Sequence, residues 1–125
     1  MKNYLRMLTL LAVVFGCAAV GFAQITVGGY KKVPVNDAGV VAAADFAIEA
    51  QADKTEAAIE ILSIEKAEQQ TVAGTNYKLC LQVNIADGSA DEPYEQFANV
   101  VIFKSLKNKF ELKSWTETED CGANE

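Results

Sequence analysis

The chain has 125 residues, enough for one domain around one core and too few for two. Half of the residues are apolar and 22% are charged, a globular composition rather than a disordered one. The formal charge of −6 argues against nucleic acid or anionic lipid as a partner, and the absence of histidine excludes Ser-His and Cys-His catalysis and removes the commonest metal ligand.

Residues 1–23 read as a signal peptide. Lys2 and Arg6 supply the positive end, an apolar run follows from Leu8 to Val20, and Gly21-Phe22-Ala23 places small residues at a cleavage site. A membrane anchor is the alternative, but a run of roughly 13–16 apolar residues is short against the roughly 20 of a span. A lipoprotein site at Val14-Phe15-Gly16-Cys17 is a second alternative, which the bulk of Phe15 fits poorly. Cleavage after Ala23 removes Lys2 and Arg6, taking the charge from −6 to −8, and leaves residues 24–125 as one secreted domain, or a periplasmic one in a bacterium. Cys17 goes with the leader. Cys80 and Cys121 remain, and two cysteines in a small exported domain predict one disulfide, with two free thiols as the alternative.

Gln24 to Gly29 reads as an extended lead, and Tyr30 to Val35 as a short first strand interrupted by Pro34. Asn36 and Asp37 are helix-start residues. Val40 to Ala52 is alanine-rich without glycine or proline, which predicts a helix. Val40, Ala43, Ala44, Ala47, Ile48 and Gln51 share one side, Phe46 flanks it, and Asp45 and Glu49 mark the wet stripe. Then the period changes to two. Ile59, Ile61 and Ile64 begin a long strand with a bulge at Leu62-Ser63, running through Glu68-Gln69-Gln70 to a turn ending at Gly74. Tyr77, Leu79, Leu81, Val83 and Ile85 alternate with Lys78, Cys80, Gln82 and Asn84, the pattern of an antiparallel strand wet on one face. Asp87 to Pro93 is a loop, Phe97 to Leu106 a third long strand, Lys107-Asn108-Lys109 a tight turn and Phe110 to Glu119 a fourth. The class is α+β: one long helix wrapped by a curved antiparallel sheet of four to five strands.

Cys80 then faces water two strands from the end of the sheet, roughly 9–10 Å away, so pairing with Cys121 requires the tail after Glu119 to fold back over that face. Glu65 with Glu68, and Glu117 with Glu119, are the carboxylate pairs an enzyme would need. They lie on strand surfaces with no pocket implied, which reads as surface charge.

Gln70-Thr71-Val72-Ala73-Gly74 matches the QxVxG hairpin motif of the cystatins, and Thr75-Asn76-Tyr77 continues it. Val27-Gly28-Gly29 resembles the glycine-bearing trunk of secreted cystatins, and Ala44-Asp45-Phe46-Ala47-Ile48-Glu49 resembles the family's helix, particularly in the plant branch. One feature departs: the second hairpin loop lacks the Pro-Trp of many secreted cystatins and is closer to the intracellular branch. Trp115 lies too late to occupy that loop and reads as a packing residue.

The resemblance implies a wedge that inhibits papain-like cysteine proteases without chemistry, cofactor or metal. Thr26 and Val27 would enter substrate subsites, Gly28 would let the backbone bend past the catalytic cysteine, and Gly29 would belong to the same contact. Gln70, Thr71, Val72, Ala73 and Gly74 would form the central contact, and Leu106, Lys107, Asn108 and Lys109 would meet the other rim. A preformed wedge loses little entropy on docking. Asp53-Lys54-Thr55 does not resemble the site by which some cystatins block legumains, so no legumain inhibition is expected. The chain is expected to be a monomer, with a swapped, non-inhibitory dimer forming if the first hairpin opens. Two other readings stand beside this one: a cystatin-fold binding or structural domain that does not inhibit, and a small enzyme on the same scaffold.

Overall fold

The computed structural model describes residues 29–122; the leader, and with it the cleavage site, lies outside them. The elements are β1 (Lys31–Lys32), α1 (Ala38–Thr55), β2 (Ala58–Val72), β3 (Gly74–Ala86), β4 (Tyr94–Lys104) and β5 (Phe110–Thr118). The strands form one antiparallel five-stranded sheet in chain order, with α1 packed on one face. This is the expected α+β class.

Helix α1 is longer than Val40 to Ala52. Of the two candidate caps only Asp37 acts: its Oδ2 accepts from the Gly39 N–H at 3.0 Å and the Val40 N–H at 3.2 Å. The helix ends where Glu56 turns left-handed at φ 55° and its N–H reaches back to the Ala52 carbonyl. Asp53-Lys54-Thr55 is thus the last helical turn rather than a linker. Val40, Ala43, Ala44 and Ala47 are fully buried, while Ile48 and Gln51 are half-buried at the margin. A buried stripe made mostly of alanine lets the helix backbone lie close to the sheet. Gly39 serves the same closeness, since a Cβ there would come within 2.5 Å of the Tyr77 hydroxyl. Burial and the nearby Asp37 carboxylate raise the Tyr77 pKa above its usual 10.0.

Strand β2 explains its odd spacing of isoleucines. Its register against β3 slips between Ile61 and Ser63, as expected, and again between Ile64 and Lys66. Each slip leaves one exposed residue, Leu62 then Glu65, and resets the alternation. Ile59, Ile61, Ile64 and Ala67 therefore all oppose the helix-side residues of β3, namely Ile85, Val83, Leu81 and Leu79. A third slip, between Val101 and Ile102 against β5, keeps both Leu112 and Trp115 packed on the core. Bulges add local twist, and three of them coil the sheet around α1.

Several strand limits differ from the sequence reading: β4 ends at Lys104 rather than Leu106, which belongs to the turn, and β5 at Thr118 rather than Glu119. β4 begins at Tyr94 rather than Phe97, because Tyr94 pairs with Ile85 directly after Pro93 and its hydroxyl donates to Asp87 Oδ2 at 2.9 Å. The polar run Tyr94-Glu95-Gln96 carries no alternation to announce this. β1 is only two residues long, since Pro34 has no N–H and Val33 makes the last bond, to the Ala67 carbonyl at 3.0 Å.

On the face away from α1, Cys80 lies in register with Asn99, and Asn99 with Thr116. The tail turns back over this face at Gly122, whose N–H donates to Asp120 Oδ1 at 2.8 Å. It brings Cys121 to a Cα–Cα distance of 5.7 Å from Cys80 in a disulfide. The bond closes a sequence separation of 41 residues. Replacing both cysteines by alanine should therefore lower stability by about 3–4 kcal/mol, read as a lower urea midpoint. An unchanged midpoint, or two free thiols in the isolated native chain, would contradict the staple.

Candidate functional site: the loop-bearing edge

β2 and β3 are the longest strands, and their hairpin is as tight as pairing allows. Val72 opposes Gly74, leaving Ala73 alone at the tip. Two pairs back, Asn76 Nδ2 donates to Gln70 Oε1 at 3.0 Å, tying the two strands by side chains as well. Gly74 is buried with φ +117°, and a Cβ there would lie 2.5 Å from the Lys104 carbonyl and 2.7 Å from the Phe103 ring. Conformation and space both require glycine. The first hairpin is thereby clamped to the end of β4, where Lys104 opposes Thr75.

From Lys104 the chain enters the second loop. The Ser105 N–H donates to the Lys109 carbonyl at 2.8 Å and the Asn108 N–H to the Ser105 carbonyl at 2.9 Å. Ser105 Oγ also accepts from the N–H groups of Lys107, at 3.2 Å, and Lys109, at 3.1 Å. Asn108, with φ 62°, takes the left-handed position that asparagine tolerates. With the backbone bonded inward, Leu106 is turned out and is 79% exposed. An isolated leucine so exposed on a rigid turn is available to a partner.

The third component comes from β1. Lys31 opposes Gln69 and β1 runs antiparallel to β2, so the chain upstream of Lys31 heads toward the Val72 end of the sheet. Gly29 shares a shallow hollow with Thr71. Gly29, Gln70 to Gly74 and Leu106 to Lys109 thus gather at one end of the sheet. Thr26, Val27 and Gly28 lie outside the described residues.

Tyr30, Phe103 and Ser105 support this edge but carry no motif. A serine opening a turn is a recognisable signal for Ser105. The seat of Phe103 against Gly74 depends on strand register, which the residue spacing of one strand cannot supply. Trp115 packs on the core at the opposite end, beside Thr55 and Ala57. Among the described residues no charged or amide-bearing residue is buried as a whole, nor do any three His, Cys, Asp or Glu side chains cluster as metal ligands. Glu65 accepts from Ser63 Oγ at 2.7 Å and Glu68 pairs with Lys78 at 3.8 Å, while Glu117 and Glu119 are exposed. Contrary to the expectation from the strand pattern, Glu65 and Glu68 line an open hollow beside Val33 and Val35, and Glu117 lines another beside Trp115, but each carboxylate is at least partly exposed.

Gly74→Ala should lower stability by about 1–3 kcal/mol and loosen both loops, seen as faster amide exchange at Thr75 and Ser105. A neutral substitution would mean that the hairpin is not held against Lys104 and Phe103.

Comparison with known proteins follows the same lines. The family model SQAPI, described as aspartic acid proteinase inhibitor, matches residues 32–118. Cysteine proteinase inhibitor 5 of Arabidopsis thaliana is 29% identical over 114 residues, covering 84% of this chain and 92% of that protein. The fold is shared with a salivary cystatin of the soft tick Ornithodoros moubata, at 21% identity and a TM-score of 0.60, over 73% of this chain and 97% of that one. It is shared also with dimeric human cystatin F, at 18% identity and a TM-score of 0.57, over 82% and 95% of the two chains. The chain therefore belongs to the SQAPI family, a family of protease inhibitors and not of enzymes, and it has the cystatin fold.

Proposed function

We propose that this protein is a reversible, tight-binding inhibitor of papain-like cysteine proteases that fills the active-site cleft with an N-terminal trunk and two loops. The observation that carries the reading is the common edge: the one-residue tip at Ala73, the exposed Leu106 and the incoming chain at Gly29 lie at one end of the sheet. The Arabidopsis relative, named as a cysteine proteinase inhibitor, supports this target class.

In this reading the trunk from Thr26 to Gly29 follows the substrate path, Val72 gives the central apolar contact, and Leu106 covers the far rim. Lys107, Asn108 and Lys109 frame that leucine. Gln70 and Asn76 hold the hairpin in its docked shape, so little freedom is lost on binding. No bond is made or broken by the inhibitor. Residues 1–23 direct export, and a disulfide suits an oxidising compartment.

The active form is a monomer. Opening of the turn at Ala73 would merge β2 with β3 and exchange β1, α1 and β2 between two copies. Cys80 and Cys121 both follow that turn in sequence, so the disulfide leaves the exchange free. A dimer formed this way would lack the first loop's tip and should not inhibit.

A second reading rests on one observation: the matched family model is described as an aspartic acid proteinase inhibitor. The same edge would then enter a cleft holding two catalytic carboxylates.

Fluorogenic peptide assays with papain and with pepsin separate the two. The first reading expects papain to be blocked, Val72→Asp to weaken inhibition about 100-fold or more, and Leu106→Asp to weaken it about tenfold. Blockade of pepsin alone would establish the second reading. Inhibition of papain that survives Val72→Asp unchanged would remove the wedge mechanism.

A further inference from the structure

Charge is distributed unevenly on this chain, and the imbalance follows the axis that ends in the loops. Every lysine among the described residues except Lys54 lies in the row of Cys80 or on its hairpin side. Lys31, Lys32, Lys66 and Lys78 occupy the β1–β3 flank, and Lys104, Lys107, Lys109 and Lys113 surround the second loop. The acids Glu68 and Glu111 share that part of the sheet, and each is paired with a lysine, Glu68 to Lys78 at 3.8 Å and Glu111 to Lys113 at 2.8 Å. Asp37, at the start of α1, is engaged in the helix cap. The opposite end carries Glu60, Asp87, Asp91, Glu92 and Glu95, all exposed, and no lysine on its strands.

Three of the lysines also stand over aromatic rings. Lys78 Nζ stands 5.3 Å from the Tyr30 ring centroid, Lys104 Nζ 5.7 Å from that of Phe110, and Lys113 Nζ 5.8 Å from that of Phe103. Phe110 is itself stacked on Phe46 of α1 at 5.4 Å, and Phe103 lies against Gly74. The cations are thus placed by the residues that shape the two loops.

Taking the inhibitor reading as its premise, we propose that this lysine-ringed edge steers the chain, by charge, toward proteases whose cleft rim is acidic. Without residues 1–23 the chain carries a formal charge of −8 and is repelled by an acidic protein at random orientation. Its charge separation turns the loop end forward at close range, where encounter becomes favourable. Fields of this kind raise association rates by about 10- to 1,000-fold and lose their reach beyond about 8–10 Å at physiological salt. The steering lysines outside the wedge act on the rate of association, whereas the wedge sets dissociation.

Papain and papain with its surface lysines succinylated, which converts each cation to an anion, provide the test. Both forms are brought to equal active-site concentration and mixed with the native chain. At about 0.1 M salt, where a Debye length of about 10 Å screens the overall repulsion more than the attraction at contact range, the succinylated enzyme should associate about tenfold faster, and the difference should vanish near 0.5 M salt, where screening is nearly complete (Debye length about 4 Å). Lys31→Gln, Lys78→Gln and Lys113→Gln together, all exposed and outside the wedge, should remove about tenfold of that rate and change dissociation less than about twofold. Lys54→Gln should leave the rate as it is. Equal association rates for the two papains, with both still inhibited, would overturn the steering and leave the inhibitor assignment intact. Inhibition of neither papain would defeat that assignment and the steering with it. Equal rates together with salt-sensitive binding to phosphatidylserine vesicles would overturn the proposal in favour of a membrane surface.

Discussion

The close approach of α1 to the sheet is the contact from which the rest of the geometry follows. Ala43, Ala44 and Ala47 put little between the helix backbone and the strands, so the sheet must curl to keep its large residues against the helix. Leu79, Leu81, Val83, Val100 and Ile102 fill that concavity and are almost wholly removed from water. The slips at Leu62, Glu65 and Lys113 supply the curl without turning an isoleucine or leucine of the core outward. Flat strands of this length would leave part of the helix uncovered.

A coiled sheet of antiparallel strands in chain order places successive connections at opposite ends. The hairpin at Ala73 and the turn at Ser105–Lys109 therefore share one end, and the Asp87 loop takes the other. β1, short as it is, sends the chain upstream of Lys31 toward the same end as the two loops. Rigidity comes from the contacts behind the tips: Gly74 under Phe103, Lys104 opposite Thr75, and the bonds of Ser105 within its turn. An edge built this way is shaped before it meets anything, and preorganisation of that kind lets a modest contact area give tight binding.

The disulfide acts on the other face and at a distance from the tips. It holds the tail across β3 and β4, near Lys66 and Asn99, and so fixes the last segment of a chain whose final strand is a sheet edge. Shape and charge thus divide the work between two ends and two faces: apolar tips and lysines at one end, carboxylates at the other, helix on one face, stapled tail on the other.

Much of this is legible in residue order. Alanine content and helical spacing set α1 and its buried side, period-two alternation sets β3, and the change of period places the helix before the sheet. The spacing of Ile61 and Ile64 betrays one bulge. The QxVxG resemblance marks Gln70 to Gly74 as a loop of interest from five residues alone. These are local signals, carried by neighbours in the chain. The second bulge at Glu65, the start of β4 at Tyr94 and the third bulge at Lys113 are hidden, because strand register is set by the partner strand and not by the strand's own residues. For the same reason, only the tertiary structure decides that Phe103 occupies the space above Gly74, that Cys121 reaches Cys80, and that lysines from all five strands and a loop gather around one edge. Composition counts the charges; pairing across the sheet determines where their sum lies.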